Sequence, residues 1–170
     1  MPMQMHGHNV EFFAFARVHA MTMQDDFLQK ARDAAKASGH IWPDYAACEA
    51  ALESAWGGSK LAAEGNNLFG TKQHSTPIFQ TLNLPTKEFE NGQWIVVNAA
   101  WVQYPDWATA FKDRMDTLNR LQAKFPDYAA ALAAATGEDF VTHVSHTWST
   151  DPQRAAKVLT IHTQHAAVFA

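Results

Sequence analysis

One stretch sets the architecture this chain can adopt. Residues 84–105, LPTKEFENGQWIVVNAAWVQYP, are rich in β-prone side chains and carry Asn91-Gly92 at their centre, while the sequence on both sides has helical spacing. An Asn-Gly pair between alternating runs signals a tight hairpin, because the favoured two-residue turn needs positive φ at both central positions. Strands are predicted near 86–90 and 93–103. Upstream, Thr22 followed by Asp25 has the spacing of a capping box, and DDFLQKARDAAKASG then reads as a helix ending near Gly39. Pro43 opens a second helix at a position where proline is tolerated. Its buried stripe is expected at Tyr45, Cys48, Leu52, Ala55 and Trp56, with Gly57-Gly58 as its stop. Downstream, DWATAFKDRMDTLNRLQ, PDYAAALAAAT, GEDFVTHVSHTW and PQRAAKVLTIHTQHAAVF all read as helical, with Asp151-Pro152 as an N-cap and first helical position. The expectation is an α+β domain, predominantly α-helical, with a small antiparallel β-hairpin lobe inserted after the second helix.

The chain has 170 residues, which suits one core, and 47% of them are hydrophobic. Thirteen basic against seventeen acidic residues give a net charge of −4 without a basic run. That excludes nucleic acid as the expected partner, since phosphate recognition rests on clustered Lys and Arg. No stretch is long enough to span a membrane. NVEFFAFARVHA is apolar but contains Glu11 and Arg17 and lacks a basic leader, so it is not read as a signal peptide. Residues 1–21 are expected to be an N-terminal extension, and 22–170 the functional domain. Cys48 is the single cysteine and lies in an apolar helical pattern, which reads as a buried, inert thiol. Nine histidines are present, including the pairs His143/His146 and His162/His165 at i, i+3. No HExxH or Cys/His zinc spacing accompanies them, so they are read as structural or surface residues, with no metal and no cofactor expected. Trp42, Trp94 and Trp107 are assigned to packing.

The chemistry concentrates in ESAWGGSKLAAEGNNLFG, residues 53–70. Glu53 lies one turn from Glu49 and near Trp56. A like charge and an apolar neighbour both disfavour ionisation. A carboxyl kept protonated can donate a proton to a leaving oxygen, which is the requirement of glycosidic cleavage. Asn66 and Asn67 carry amides suited to sugar hydroxyls and N-acetyl groups. Trp56 and Phe69 carry apolar faces suited to sugar rings. By spacing alone, each of these residues also fits a purely structural role.

The run ALESAWGGSKLAAEGNNLFGTK, residues 51–72, resembles the signature of glycoside hydrolase family 73, the glucosaminidase domains of lysozyme-like peptidoglycan hydrolases. The similarity continues through TKEFENGQW, WVQYPDWATAFKDRM and WSTDPQRAAKVL, covering roughly residues 24–163. The resemblance implies a lysozyme-like fold and an endo-β-N-acetylglucosaminidase that cleaves β-1,4 bonds after N-acetylglucosamine. It implies Glu53 as general acid and Glu88, in TKEF, as the second carboxylate. It places Trp101, Tyr104 and Trp148 along the glycan cleft with Trp56, Asn66, Asn67 and Phe69. Three departures stand out. Trp148 replaces the tyrosine of the family's Tyr-Ala-Thr-Asp-Pro run, Arg154 replaces a second tyrosine, and Val102 replaces the arginine of Phe-Arg-x-Tyr. Trp148 keeps stacking but loses a phenol. The alternatives are a muramidase or lytic transglycosylase of the same fold, and a catalytically weak glycan-binding module. The implied partner is bacterial peptidoglycan, met in the periplasm or outside the cell by a route the sequence leaves open, and a monomer is expected.

Overall fold

The structure, a computed structural model, describes residues 21–170 other than Asn91, and the side chains of these except at 87–90. The expected extension over residues 1–21 lies, apart from Met21, outside the described residues. Helices α1 (Met23–Ala37), α2 (Pro43–Glu53) and α3 (Lys60–Gly65) precede strands β1 (Gln80–Glu90) and β2 (Gln93–Gln103). Helices α4 (Trp107–Leu121), α5 (Pro126–Leu132), α6 (Gly137–Trp148), α7 (Arg154–Gln164) and α8 (Ala166–Phe169) follow.

The α2 helix is the centre of the fold. Ala46, Ala47, Cys48, Ala50 and Ala51 are fully buried. A helix covered on all sides needs apolar residues all round, and alanine lets neighbours approach closely. Packed around it are Leu28, Ala31 and Ala35 of α1, Phe111 and Leu118 of α4, Phe140, Val141 and Val144 of α6, and Val158 of α7. The Cys48 thiol is buried, and burial pushes its pKa up, so it is the inert thiol expected. The capping box at Thr22 and Asp25 is present.

The hairpin is longer than expected. β1 begins at Gln80 rather than near 86 and pairs antiparallel with β2 from Gln80↔Gln103 to Glu90↔Gln93, with Gly92 in a turn and Asn91 outside the described residues. Pro85 sits within the strand opposite Asn98. Both strands of a two-stranded sheet are edges, where proline is tolerated. Gly92 has φ +80°. The base of the lobe is tied to the segment after α3, with Gln73 N–H donating to Ala100 O, Val102 N–H to Thr71 O and Tyr104 N–H to Gly65 O. Trp107 packs on Phe27, and Trp94 on the hairpin is 71% exposed.

Three boundaries differ from the pattern reading. α2 stops at Glu53, so Ala55 is exposed and Trp56 leaves the helix. A short helix, α3, capped by the Ser59 hydroxyl, interrupts what reads as a polar turn. α7 starts at Arg154 rather than Pro152, because Asp151 closes a turn in which its carboxylate accepts from Gln153 N–H.

Candidate active site

The end of α2 explains how Glu53 is presented. Ser54 caps the helix: its hydroxyl donates to Ala50 O and accepts from Gly57 N–H. Three consecutive residues then take left-handed backbone, Ala55 at φ +51°, Trp56 at +58° and Gly57 at +78°. For the two non-glycine residues this costs on the order of 1–2 kcal/mol each. Such strain persists only where the surroundings over-determine it, and here Trp56 N–H donates to Ala51 O and Ser59 N–H to Ser54 O. The helix is cut off directly after Glu53, leaving that side chain 25% exposed at the last helical position.

Glu53 does not have the neighbours its sequence position suggests. Its Oε1 accepts from Arg154 Nε at 2.7 Å. Trp56 turns to Phe27 and His165 instead. Glu49, expected to act on Glu53 as a like charge, is fully buried and takes Arg114 Nη2 at 2.7 Å and Arg154 Nη1 at 3.0 Å on one oxygen. Arg154 Nη1 also donates to Ser145 Oγ at 2.9 Å. The result is a linked row, Arg114–Glu49–Arg154–Glu53, with two charges of each sign. Burial alone would raise the pKa of Glu49, but the guanidiniums of Arg114 and Arg154 outweigh it and hold the carboxyl below its ordinary value. For Arg154, burial is outweighed in turn by the carboxylates of Glu49 and Glu53, which hold it protonated. Arg114 is sandwiched by rings, its guanidinium 4.7 Å from the centroid of Phe69 and 4.9 Å from that of Trp148.

The residues expected along a glycan cleft separate into two groups. Trp148 is half-buried and lines an open pocket with Ser145, His146, Asp151, Pro152 and Ala155. Ser145 joins this pocket to the Glu53 ion pair through Arg154. Trp101 is partly exposed on β2, with Lys72 over its ring. The others hold the scaffold. Asn67 is 1% exposed, and its amide donates to Thr71 O and Val102 O while its oxygen accepts from Thr71 N–H. Asn66 takes φ +50° as the C-cap of α3 and donates to Tyr104 O. Phe69 is buried against Phe111, and buried Tyr104 donates from its hydroxyl to Asp113 at 2.6 Å. Asn67, Phe69 and Tyr104 are thus almost fully buried and fix the loop and lobe that border the site.

Glu88 lies on β1 opposite Ile95. Its register position shares the face of Leu82 and Leu84, whose partners Trp101 and Ala99 belong to the less exposed side of β2. Pattern reading missed the roles of Glu49, Arg114 and Arg154. The signal was available at Glu49, a carboxylate inside a run of buried alanines, which demands a cationic partner.

Comparison with known proteins matches this arrangement to one family. The glucosaminidase family profile, described as mannosyl-glycoprotein endo-beta-N-acetylglucosaminidase, matches residues 28–167. A probable N-acetylmuramidase of Lactococcus lactis subsp. cremoris is 32% identical over 142 residues, covering 79% of this chain and 31% of the relative. The peptidoglycan hydrolase FlgJ of Salmonella typhimurium is 31% identical over 125 residues, covering 71% and 38%. The chain thus spans about a third of the length of these curated relatives. Among solved structures, the C-terminally truncated glycoside hydrolase domain of Salmonella FlgJ superposes with a TM-score of 0.67 at 29% identity, covering 85% of this chain and 98% of that one. The catalytic domain of the Listeria monocytogenes autolysin Auto shares the fold, with a TM-score of 0.68 at 24% identity over 91% and 90% of the two chains. With its helical body, hairpin lobe and helix-terminal glutamate, the chain belongs to the glucosaminidase family of glycoside hydrolases, family 73.

Proposed function

We propose that this domain hydrolyses the glycan strands of bacterial peptidoglycan as an endo-β-N-acetylglucosaminidase, cutting the β-1,4 bond after N-acetylglucosamine. The observation that carries this reading is the placement of Glu53: it ends a buried helix, remains partly exposed, and is gripped at 2.7 Å by an arginine itself anchored to a buried carboxylate. A general acid must be held within a fraction of an ångström of productive geometry, and side chains locked by such contacts provide that. The Arg154 ion pair holds Glu53 as a carboxylate in the free domain; Glu53 takes up a proton when substrate displaces that contact and passes it to the leaving glycosidic oxygen. Glu88, carried by β1, is the second carboxylate that activates water or stabilises the oxocarbenium-like transition state. Trp148 and Trp101 offer aromatic faces to sugar rings. The names of the relatives support peptidoglycan as substrate: FlgJ is a peptidoglycan hydrolase, and the Lactococcus protein a probable N-acetylmuramidase.

The test is digestion of purified peptidoglycan by the wild type, Glu53→Gln and Glu88→Gln, followed by borohydride reduction and mass spectrometry. Reduced N-acetylglucosamine ends are expected from the wild type, with turnover lost in Glu53→Gln while the fold is kept. On the typical worth of general acid–base catalysis, the loss is about 10²–10⁴-fold. Reduced or 1,6-anhydro muramic acid ends would assign the other bond. Unchanged turnover in Glu53→Gln would overturn the role of the acid, and sedimentation onto the wall without release would leave a binding module.

A further inference from the structure

A second side-chain cluster lies apart from Glu53, on the packed pair α5 and α6. Asp127 stands in the first turn of α5, and His143 and His146 stand one turn apart on α6. One ligand atom from each falls within 4.8 Å of the other two. His146 Nδ1 is 3.5 Å from Asp127 Oδ1. Zinc ligands at roughly 2.0–2.1 Å in a tetrahedron stand about 3.3–3.4 Å apart. One pair is therefore already spaced for a shared ion, and His143, within 4.8 Å of both, joins it by a side-chain rotation. The other carboxylate oxygen of Asp127 is held: Oδ2 accepts from Thr147 Oγ1 at 3.1 Å. That contact leaves Oδ1 facing His146, the arrangement in which an outer hydrogen bond orients a ligating carboxylate.

We propose that Asp127, His143 and His146 form a binding site for a borderline divalent transition metal of the Zn2+ class. Two imidazoles and one carboxylate suit such an ion and do not suit Mg2+ or Ca2+, which take all-oxygen sets. Three protein ligands leave one position open. Asp127 and His146 are partly exposed, so the ion has an entry path from solvent. The metal clamps α5 to α6 beside the pocket that His146 lines together with Trp148. Sequence spacing alone does not show the site, because its third ligand comes from a different helix and no standard zinc motif is present.

The test uses the full chain carrying His6→Ala and His8→Ala, which removes a competing terminal His-Gly-His. After chelator treatment, Zn2+ is titrated calorimetrically and Co2+ is followed by its visible absorption. One equivalent is expected to bind, to raise Tm, and to give the Co2+ spectrum of a low-coordinate N/O site. Asp127→Ala, His143→Ala and His146→Ala are each expected to weaken binding at least tenfold. Thr147→Val is expected to weaken it about tenfold through the loss of carboxylate orientation. Imidazoles ligate only when neutral, so uptake weakens in acid. Absence of saturable uptake overturns the proposal. So does uptake unchanged by Asp127→Ala, which reduces the cluster to an ordinary histidine pair.

Discussion

Glu49→Gln is the most informative perturbation of the charge row. Glu49 is fully buried and accepts from Arg114 and Arg154 on the same oxygen. The substitution keeps the shape and one acceptor but removes the charge. Two buried guanidiniums are then left with one carboxylate, Glu53, which pairs directly with Arg154. Removing one partner of a buried ion pair costs about 3–5 kcal/mol, because the remaining charge stays desolvated. Glutamine keeps a weaker hydrogen bond, so the lower end, about 3 kcal/mol, is expected. For a domain of this size, each kcal/mol moves Tm by about 2–4 °C, giving a fall of roughly 6–12 °C. The assay is urea denaturation at neutral pH paired with calorimetry. The pH dependence supplies a second reading. The folded-state pKa of Glu49 is held below its unfolded value, about 4.3. Its contribution is therefore complete above that value and is lost as pH falls through the folded pKa. Stability should fall less steeply below about pH 4 in Glu49→Gln than in the wild type. A loss under about 1 kcal/mol, or an unchanged acid limb, would refute the view that this row is a mutually dependent set.

Gly57→Ala forces a Cβ into backbone at φ +78° and to 3.1 Å from the Phe27 ring. A loss of about 2 kcal/mol is expected, together with reduced turnover from displacement of the strained turn after Glu53, and a Tm within error of wild type would contradict it. His40 is buried between Phe111 and Phe140, with its Nδ1 accepting from Trp42 N–H. Burial first, then the Arg114 charge, push its pKa down to about 3. Its contribution is present above the unfolded value of about 6.5 and erodes as pH falls toward the folded one. His40→Gln should flatten the decline of Tm between about pH 6 and pH 4, and a parallel decline would place the proton elsewhere.

What could be read from sequence followed the range of the interactions. The Thr22 cap, the α6 span 137–148 and the pairing of β1 with β2 across a short connection are set by residues within a few places of one another, and local patterns record them. The start of β1 was less legible, since Pro85 argues against strand unless the sheet is known to have two edges and nothing else. The end of α2 was hidden for a different reason. Ala55 and Trp56 continue the helical spacing, and the hydrogen bonds from Trp56 N–H to Ala51 O, Gly57 N–H to Ser54 Oγ and Ser59 N–H to Ser54 O hold them left-handed. Amides serve sugars and turns equally well, so the sequence of Asn66 and Asn67 does not show that their side chains reach the distant carbonyls of Tyr104 and Val102. Glu49, Arg114 and Arg154 come from three helices, so no window of sequence contains their relation.

The charge row also gives meaning to Arg154 at a position where the related pattern carries tyrosine. A tyrosine there would bring one neutral hydroxyl and need no counter-charge. An arginine brings a full charge into a nearly dry site, which is tolerable only if carboxylates meet it on more than one side. Glu49 and Glu53 do so, and Ser145 takes a further donor. Glu49 in turn has to serve Arg114, whose guanidinium also lies over the faces of Phe69 and Trp148. Trp148 is the other position that departs from tyrosine. An indole covers more of a guanidinium than a phenol ring does and attracts it more strongly. The two departures therefore act on one unit. Arg154 holds the candidate acid, Glu49 balances Arg154 and Arg114, and Trp148 covers Arg114 while lining the pocket beside it. A change at any one of these positions is expected to reach Glu53 through charge balance rather than through packing alone.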